Sequence, residues 1–127
     1  MNMKNKIIFS FIGFIIIILL GIWLSNSGRP FNPLIFNIHK LLAITLVIFN
    51  YFIIKNLKKF ILFSKSNKVM LLISFLAFLV LIITGGLLSL EEPIKGVVLF
   101  LHSTLPAVVF ISYSVLVYDL YKRMNNK

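Results

Sequence analysis

The sequence predicts an all-α integral membrane protein, a four-helix up-down-up-down bundle, and three observations carry that expectation. Of its 127 residues 60% are hydrophobic and mean hydropathy is +1.04, more apolar matter than a soluble domain of this size keeps from water. Four apolar runs, Ile7 to Leu24, Leu34 to Ile54, Val69 to Leu90 and Val97 to Tyr118, each come near the roughly 20 residues of a spanning helix and hold almost no ionised groups. The runs lack the alternation of a membrane β-barrel, and lipid requires every backbone group to be satisfied internally, which leaves helices.

The first run follows Lys4 and Lys6, as a signal peptide would. It is 18 residues long, whereas a signal core has about 7 to 15, and no small-x-small cleavage site follows. It is therefore read as the first spanning helix. The connection SNSGRPFNP is rich in turn formers, with Asn32 and Pro33 suited to the cap and first position of the second helix. KNLKKFILFSKSNK is longer, and its Phe60 to Phe63 stretch is expected at the interface between lysines. LEEPIKG is again short. Short connections favour antiparallel neighbours, and with no low-complexity segment the whole span 1–127 reads as one domain.

Charge sets the expected orientation. Lys4, Lys6, Lys55, Lys58, Lys59, Lys65, Lys68, Lys122, Arg123 and Lys127 lie at the termini and the central connection. The other two connections and their flanks hold Arg29, Lys40 and Lys95, with Glu91 and Glu92. The positive-inside rule then places both termini in the cytoplasm of a cell-membrane protein. The net charge of +10 is spent on topology and on anionic lipid, and no basic domain stands apart to bind nucleic acid. The absence of cysteine excludes disulfides, iron–sulfur ligation and covalent haem attachment.

Each run carries polar or small residues eleven apart, a spacing that changes helical rotation by only about 20 degrees. They are Ser10 and Gly21, His39 and Asn50, Ser74 and Gly85, and His102 and Tyr113. Such stripes face neighbouring helices rather than lipid. His39 and His102 each lie about five residues into their runs, roughly 8 Å below the external boundary. Gly21 and Gly85 fall at the same level.

In a square bundle the second and fourth helices share a diagonal of roughly 11 to 14 Å. That gap suits a metal macrocycle ligated axially by two imidazoles, with Gly21, Gly85 and Gly86 clearing room for its edges and Thr84 extending the small patch beside Gly85. A bare zinc ion would want a third or fourth protein ligand at this depth, and none is visible. Lys40 and Arg29, near the outer surface, are candidates for haem propionates, or else snorkel to headgroups. Pro106 removes the amide that would bond the His102 carbonyl and should bend its helix. Ser103 and Thr104 can bond their own backbone. Taken singly, a histidine at such a depth is more often a packing hydrogen bond.

In NIHKLLA around His39, LHSTLP around His102 and the TGGLLS stretch, the chain resembles helical-bundle membrane cytochromes of the b type, including the cytochrome b561 and ferric-reductase-like groups. The resemblance implies one non-covalent haem b with His39 and His102 as axial ligands, and electron exchange with a quinol or an external redox partner. It covers the four-helix core but rests on two residues and a spacing. Those groups commonly stack two haems, whereas the inner level here presents Ser10, Asn50, Ser74 and Tyr113. Transmembrane electron transfer would then need a partner subunit, a quinone or other ligands.

Two other readings stand beside it: a non-catalytic four-helix subunit or transporter component, and a haem transport or sensing protein. A homo-oligomer or a larger membrane complex suits any of the three. Hydrolase or group-transfer chemistry is disfavoured, since Glu91, Glu92 and Asp119 are the only acids and no nucleophile, base and orienter come together. The wealth of Ile, Asn, Lys and Phe suggests an AT-rich bacterial genome.

Overall fold

The computed structural model describes residues 2–28, 30–58, 63–90 and 96–125. They form four helices, α1 (Met3–Asn26), α2 (Pro33–Lys58), α3 (Lys65–Leu87) and α4 (Gly96–Asn125). All four are long and apolar enough to cross a bilayer. Large side chains such as Phe9, Leu34, Val97 and Tyr118 stand more than 60% exposed. A surface of that kind suits lipid better than water, and with four such helices it suggests a multi-pass membrane protein.

Helix ends follow the polar flanks rather than the apolar runs. Asn2 caps α1, its side chain accepting from the Asn5 amide at 2.8 Å. Ser64 caps α3 by accepting from Asn67 at 3.2 Å. Asn32 accepts from the amides of Leu34 (3.0 Å) and Ile35 (3.3 Å) just ahead of Pro33, the cap and first position that the sequence suggests. The helices therefore reach past the hydropathy bounds into lysine-bearing turns. The exception is the end of α3, expected at Leu90 and found at Leu87. Gly85 and Gly86 weaken that last turn. The Leu88 and Ser89 amides then fold back onto the Thr84 carbonyl (2.9 Å) and the Gly86 carbonyl (3.0 Å).

Two compact units result, Met1–Phe60 and Ile61–Lys127. In the first, Ser10 of α1 hydrogen-bonds Asn50 of α2 while Gly21 lies against His39, so the helices run antiparallel. In the second, the Ser74 and Ser112 hydroxyls bond at 2.7 Å while Gly85 lies against His102, again an antiparallel pair. Pro106 sits inside α4, which continues through it.

The two hairpins repeat one sequence pattern. Ser10, Phe11, Phe14, Ile18, Gly21, Leu24 and Ser25 recur 64 residues later as Ser74, Phe75, Phe78, Ile82, Gly85, Leu88 and Ser89. After a one-residue change in the connection, His39, Leu42, Ile48, Leu57 and Lys59 recur 63 residues later as His102, Leu105, Ile111, Leu120 and Lys122. Burial follows the same register. Leu24, Leu46, Asn50, Ile53 and Leu57 are buried in the first unit, and their counterparts Leu88, Val109, Tyr113, Leu116 and Leu120 in the second. Dispersion between such matched surfaces, with hydrogen bonds at the polar positions, holds helices together where water supplies no hydrophobic drive.

Candidate functional site

Each hairpin builds one histidine seat. Helical spacing brings Gly21 of α1 opposite His39 of α2, and a Cβ added at Gly21 would lie 3.3 Å from the imidazole Cε1. In the second hairpin a Cβ at Gly85 would lie 3.1 Å from the His102 Cε1 and 3.8 Å from its Nδ1. The ring of each histidine thus rests on the bare backbone of a partner glycine, a contact any larger residue would disturb. Both imidazoles are half-buried. The clearance at Gly21 and Gly85 is taken by the imidazoles themselves, whereas nothing lies within 4 Å of a Cβ added at Gly86.

In the first hairpin the His39 imidazole lies near the backbone of Ile17, one turn before Gly21 in α1. In α3 the position equivalent to Ile17 is Leu81, and its carbonyl lies 3.2 Å from the Thr84 hydroxyl. Thr84 is 4% exposed, with Oγ1 at 2.8 Å from the Val80 carbonyl and 2.9 Å from Nδ1 of His102. If the hydroxyl gives its single hydrogen to a helix carbonyl, it accepts from His102 and Nδ1 is the donor; if it gives that hydrogen to Nδ1, the tautomer is the other one. In the first case Nε2 of His102 carries the ring's lone pair, the state in which an imidazole ligates a metal.

Other predicted positions fall as follows. Lys40 lies on α2 with its Nζ 4.0 Å from the centre of the Phe36 ring, a cation–π contact. Arg29, Glu91, Glu92 and Lys95 lie outside the described residues, as does most of the Phe60 to Phe63 stretch. Ser103 and Thr104 bond the Phe100 carbonyl of their own helix at 2.9 and 2.8 Å. In the inner layer Ser112, rather than Tyr113, is the side chain that bonds Ser74, while Tyr113 is 3% exposed. Ser112 escapes a reading by elevens because it lies ten residues from His102. Thr84 was legible as a small neighbour of Gly85 but not as a partner of His102. Its signal lay in the repeat, where Leu20 occupies the equivalent position.

Among the described residues no three His, Asp or Glu side chains gather. Each hairpin offers one imidazole, fewer protein ligands than a structural zinc site uses. Comparison of the chain with protein-family profiles, curated proteins and solved structures finds no match. The reading of the site rests on its own chemistry.

Proposed function

We propose that this protein is a small membrane cytochrome of the b type, with one non-covalent haem held by His39 and His102. In this reading the two hairpins assemble into an up-down-up-down bundle in the cell membrane. Both termini face the cytoplasm and the haem lies towards the outer face. The observation that supports it best is the repeated seat: each hairpin sets its histidine against a glycine of the partner helix, and in the second a ring nitrogen of that histidine is also tied to the partner helix through Thr84. Such a second contact orients a ligand ring and raises the basicity of the other nitrogen.

When bound, the haem would supply one-electron exchange with a quinol in the membrane or an external redox partner. With both axial positions filled by protein, the iron would have no open place for substrate, so carrier chemistry follows more naturally than catalysis. The chain's own contribution is to fix two imidazoles, to surround them with apolar side chains, and to present Lys40 near the outer boundary. Lys40 and Arg29 are the cations proposed for the haem's propionates.

The test is a reduced-minus-oxidised visible spectrum of protein purified from cells supplied with haem precursor. Sharp bands of a six-coordinate b haem are expected in the wild type. His39→Ala and His102→Ala should each lose them while still inserting in the membrane. Normal haem content in both variants refutes the assignment. A colourless wild type that added hemin does not restore also refutes it, and favours a subunit held together by the Ser10–Asn50 and Ser74–Ser112 bonds.

A further inference from the structure

The two histidine seats differ in one respect that the haem reading does not require. In the first hairpin the imidazole lies near the backbone of Ile17, with no hydroxyl-bearing residue at the position equivalent to Thr84. In the second, a hydroxyl is interposed: Thr84 Oγ1 reaches the Val80 carbonyl at 2.8 Å and the Leu81 carbonyl at 3.2 Å, and takes Nδ1 of His102 at 2.9 Å. Leu20, the equivalent residue of the first hairpin, has no polar group.

We infer that Thr84 is the positioning residue of His102, fixing its ring orientation and its Nδ1–H tautomer so that Nε2 is the nitrogen offered to a metal. Three features converge on this role. Thr84 is buried, so no water competes for its hydroxyl. Its χ1 is restricted by branching at Cβ and by the back-bond to the helix, which aims the oxygen. Gly85, the next residue, lets the ring approach closely enough for the bond to form.

A neutral imidazole in solution interconverts between tautomers, and a ring held by packing alone would keep that freedom. A hydroxyl that has directed its one hydrogen to the helix removes it, because towards Nδ1 it can then only accept. The inference concerns residues of this chain, and its ligation half rests on the haem reading. The experiment separates the two.

The experiment is nitrogen-15 NMR of the apoprotein in detergent micelles, labelled at histidine, for the wild type, Thr84→Val and Thr84→Ser. Val keeps the shape without the hydroxyl, and Ser keeps the hydroxyl. Expected is an Nδ1–H signature for His102 in the wild type and in Thr84→Ser, and a mixture of tautomers in Thr84→Val. His39, in the other hairpin, should be unchanged throughout. Titration with hemin then reads ligation, with affinity falling about tenfold or more in Thr84→Val, as loss of an outer-shell partner does elsewhere.

An unchanged His102 tautomer in Thr84→Val, or an Nε2–H signature in the wild type, overturns the inference. The expected tautomer shift with no hemin uptake by any form supports Thr84 as the positioning residue and overturns the cofactor reading. Hemin affinity equal in wild type and Thr84→Val, with the tautomer shifted, overturns the ligation half alone.

Discussion

Gly85 and Gly86 are chain neighbours near the end of α3, and alanine should act in opposite ways at the two. At Gly86 a new Cβ meets nothing within 4 Å, so the substitution simply relieves the entropy of glycine in a helix. That gain is about 1 kcal/mol or less. At Gly85 the new Cβ would stand 3.1 Å from Cε1 of His102, inside ordinary contact distance, and the ring must give by a few tenths of an ångström. The ring is not free to do so, because Nδ1 is tied to Thr84 at 2.9 Å. Moving off the methyl stretches that bond, whose net worth is roughly 0.5 to 1.5 kcal/mol. The helix gain and the hydrogen-bond loss are similar in size and opposite in sign. Global stability of Gly85→Ala should therefore stay within about 1 kcal/mol of wild type while the orientation of His102 is lost. In hemin titration that loss is worth roughly two- to tenfold in affinity. The assay pairs equilibrium unfolding in mixed micelles with hemin titration and the tautomer signal of His102. Gly86→Ala should show equal or higher stability with the His102 tautomer signal intact. If Gly85→Ala matches Gly86→Ala in every readout, the glycine seat has no role in holding the imidazole.

Two further outcomes are expected. A Cβ at Gly13 would lie 2.8 Å from Cδ1 of Leu46, whereas the second hairpin has Ala77 and Val109 at these positions, one methyl gained and one carbon lost. Gly13→Ala should thus destabilise by about 1 to 3 kcal/mol before its helix gain. Leu46→Val should restore it, with a coupling of about 0.5 to 3 kcal/mol in a double-mutant cycle, and simple additivity would sink the proposed equivalence of the two hairpins. The chain has no native cysteine, so Ser27→Cys and Asn2→Cys report orientation cleanly. An impermeant maleimide should label Ser27→Cys in intact cells and Asn2→Cys only after permeabilisation, and the reverse pattern would invert the proposed topology.

Much of the fold was legible because lipid allows so few solutions. Hydropathy located all four helices, and the Asn32–Pro33 cap announced the start of α2. The helix ends were misjudged where polar residues remain helical, as at Met3 and Lys65, since hydropathy reads composition and a cap reads hydrogen bonds. At the site, spacing by elevens brought out the stripe on each helix, and counting depth put Gly21 and Gly85 level with His39 and His102, because rise and rotation per residue are fixed; that each glycine faces the imidazole itself was not read. Spacing did not bring out the bond from His102 to Thr84 or from Ser74 to Ser112. Those depend on where short side chains point, on a scale of one residue, which a stripe eleven residues long does not resolve.

The repeat changes what the matched histidines are worth as an argument. An even number of spans returns a chain to the side where it started, so duplicating a two-helix unit places both copies of any residue at one depth in a bilayer. Equal depth and equal direction for His39 and His102 therefore follow from the repeat alone and carry no independent weight for a shared ligand. What carries weight is the pattern of change between the copies. Gly13 stands against Ala77, Leu20 against Thr84, Asn50 against Tyr113, and Leu46 against Val109, so both helix interfaces have drifted, and in the inner polar layer Ser10 and Ser74 are kept while their partner moves from Asn50 to Ser112. The outer layer has kept its histidine and its glycine in both copies, and where Thr84 is new it adds a bond to the same imidazole. A half-buried imidazole within an apolar helix is costly to retain for packing alone when Asn50 and Tyr113 show how freely a neighbouring layer is rebuilt. Both hairpins keep the histidine and its facing glycine through that drift, while the residues around them change.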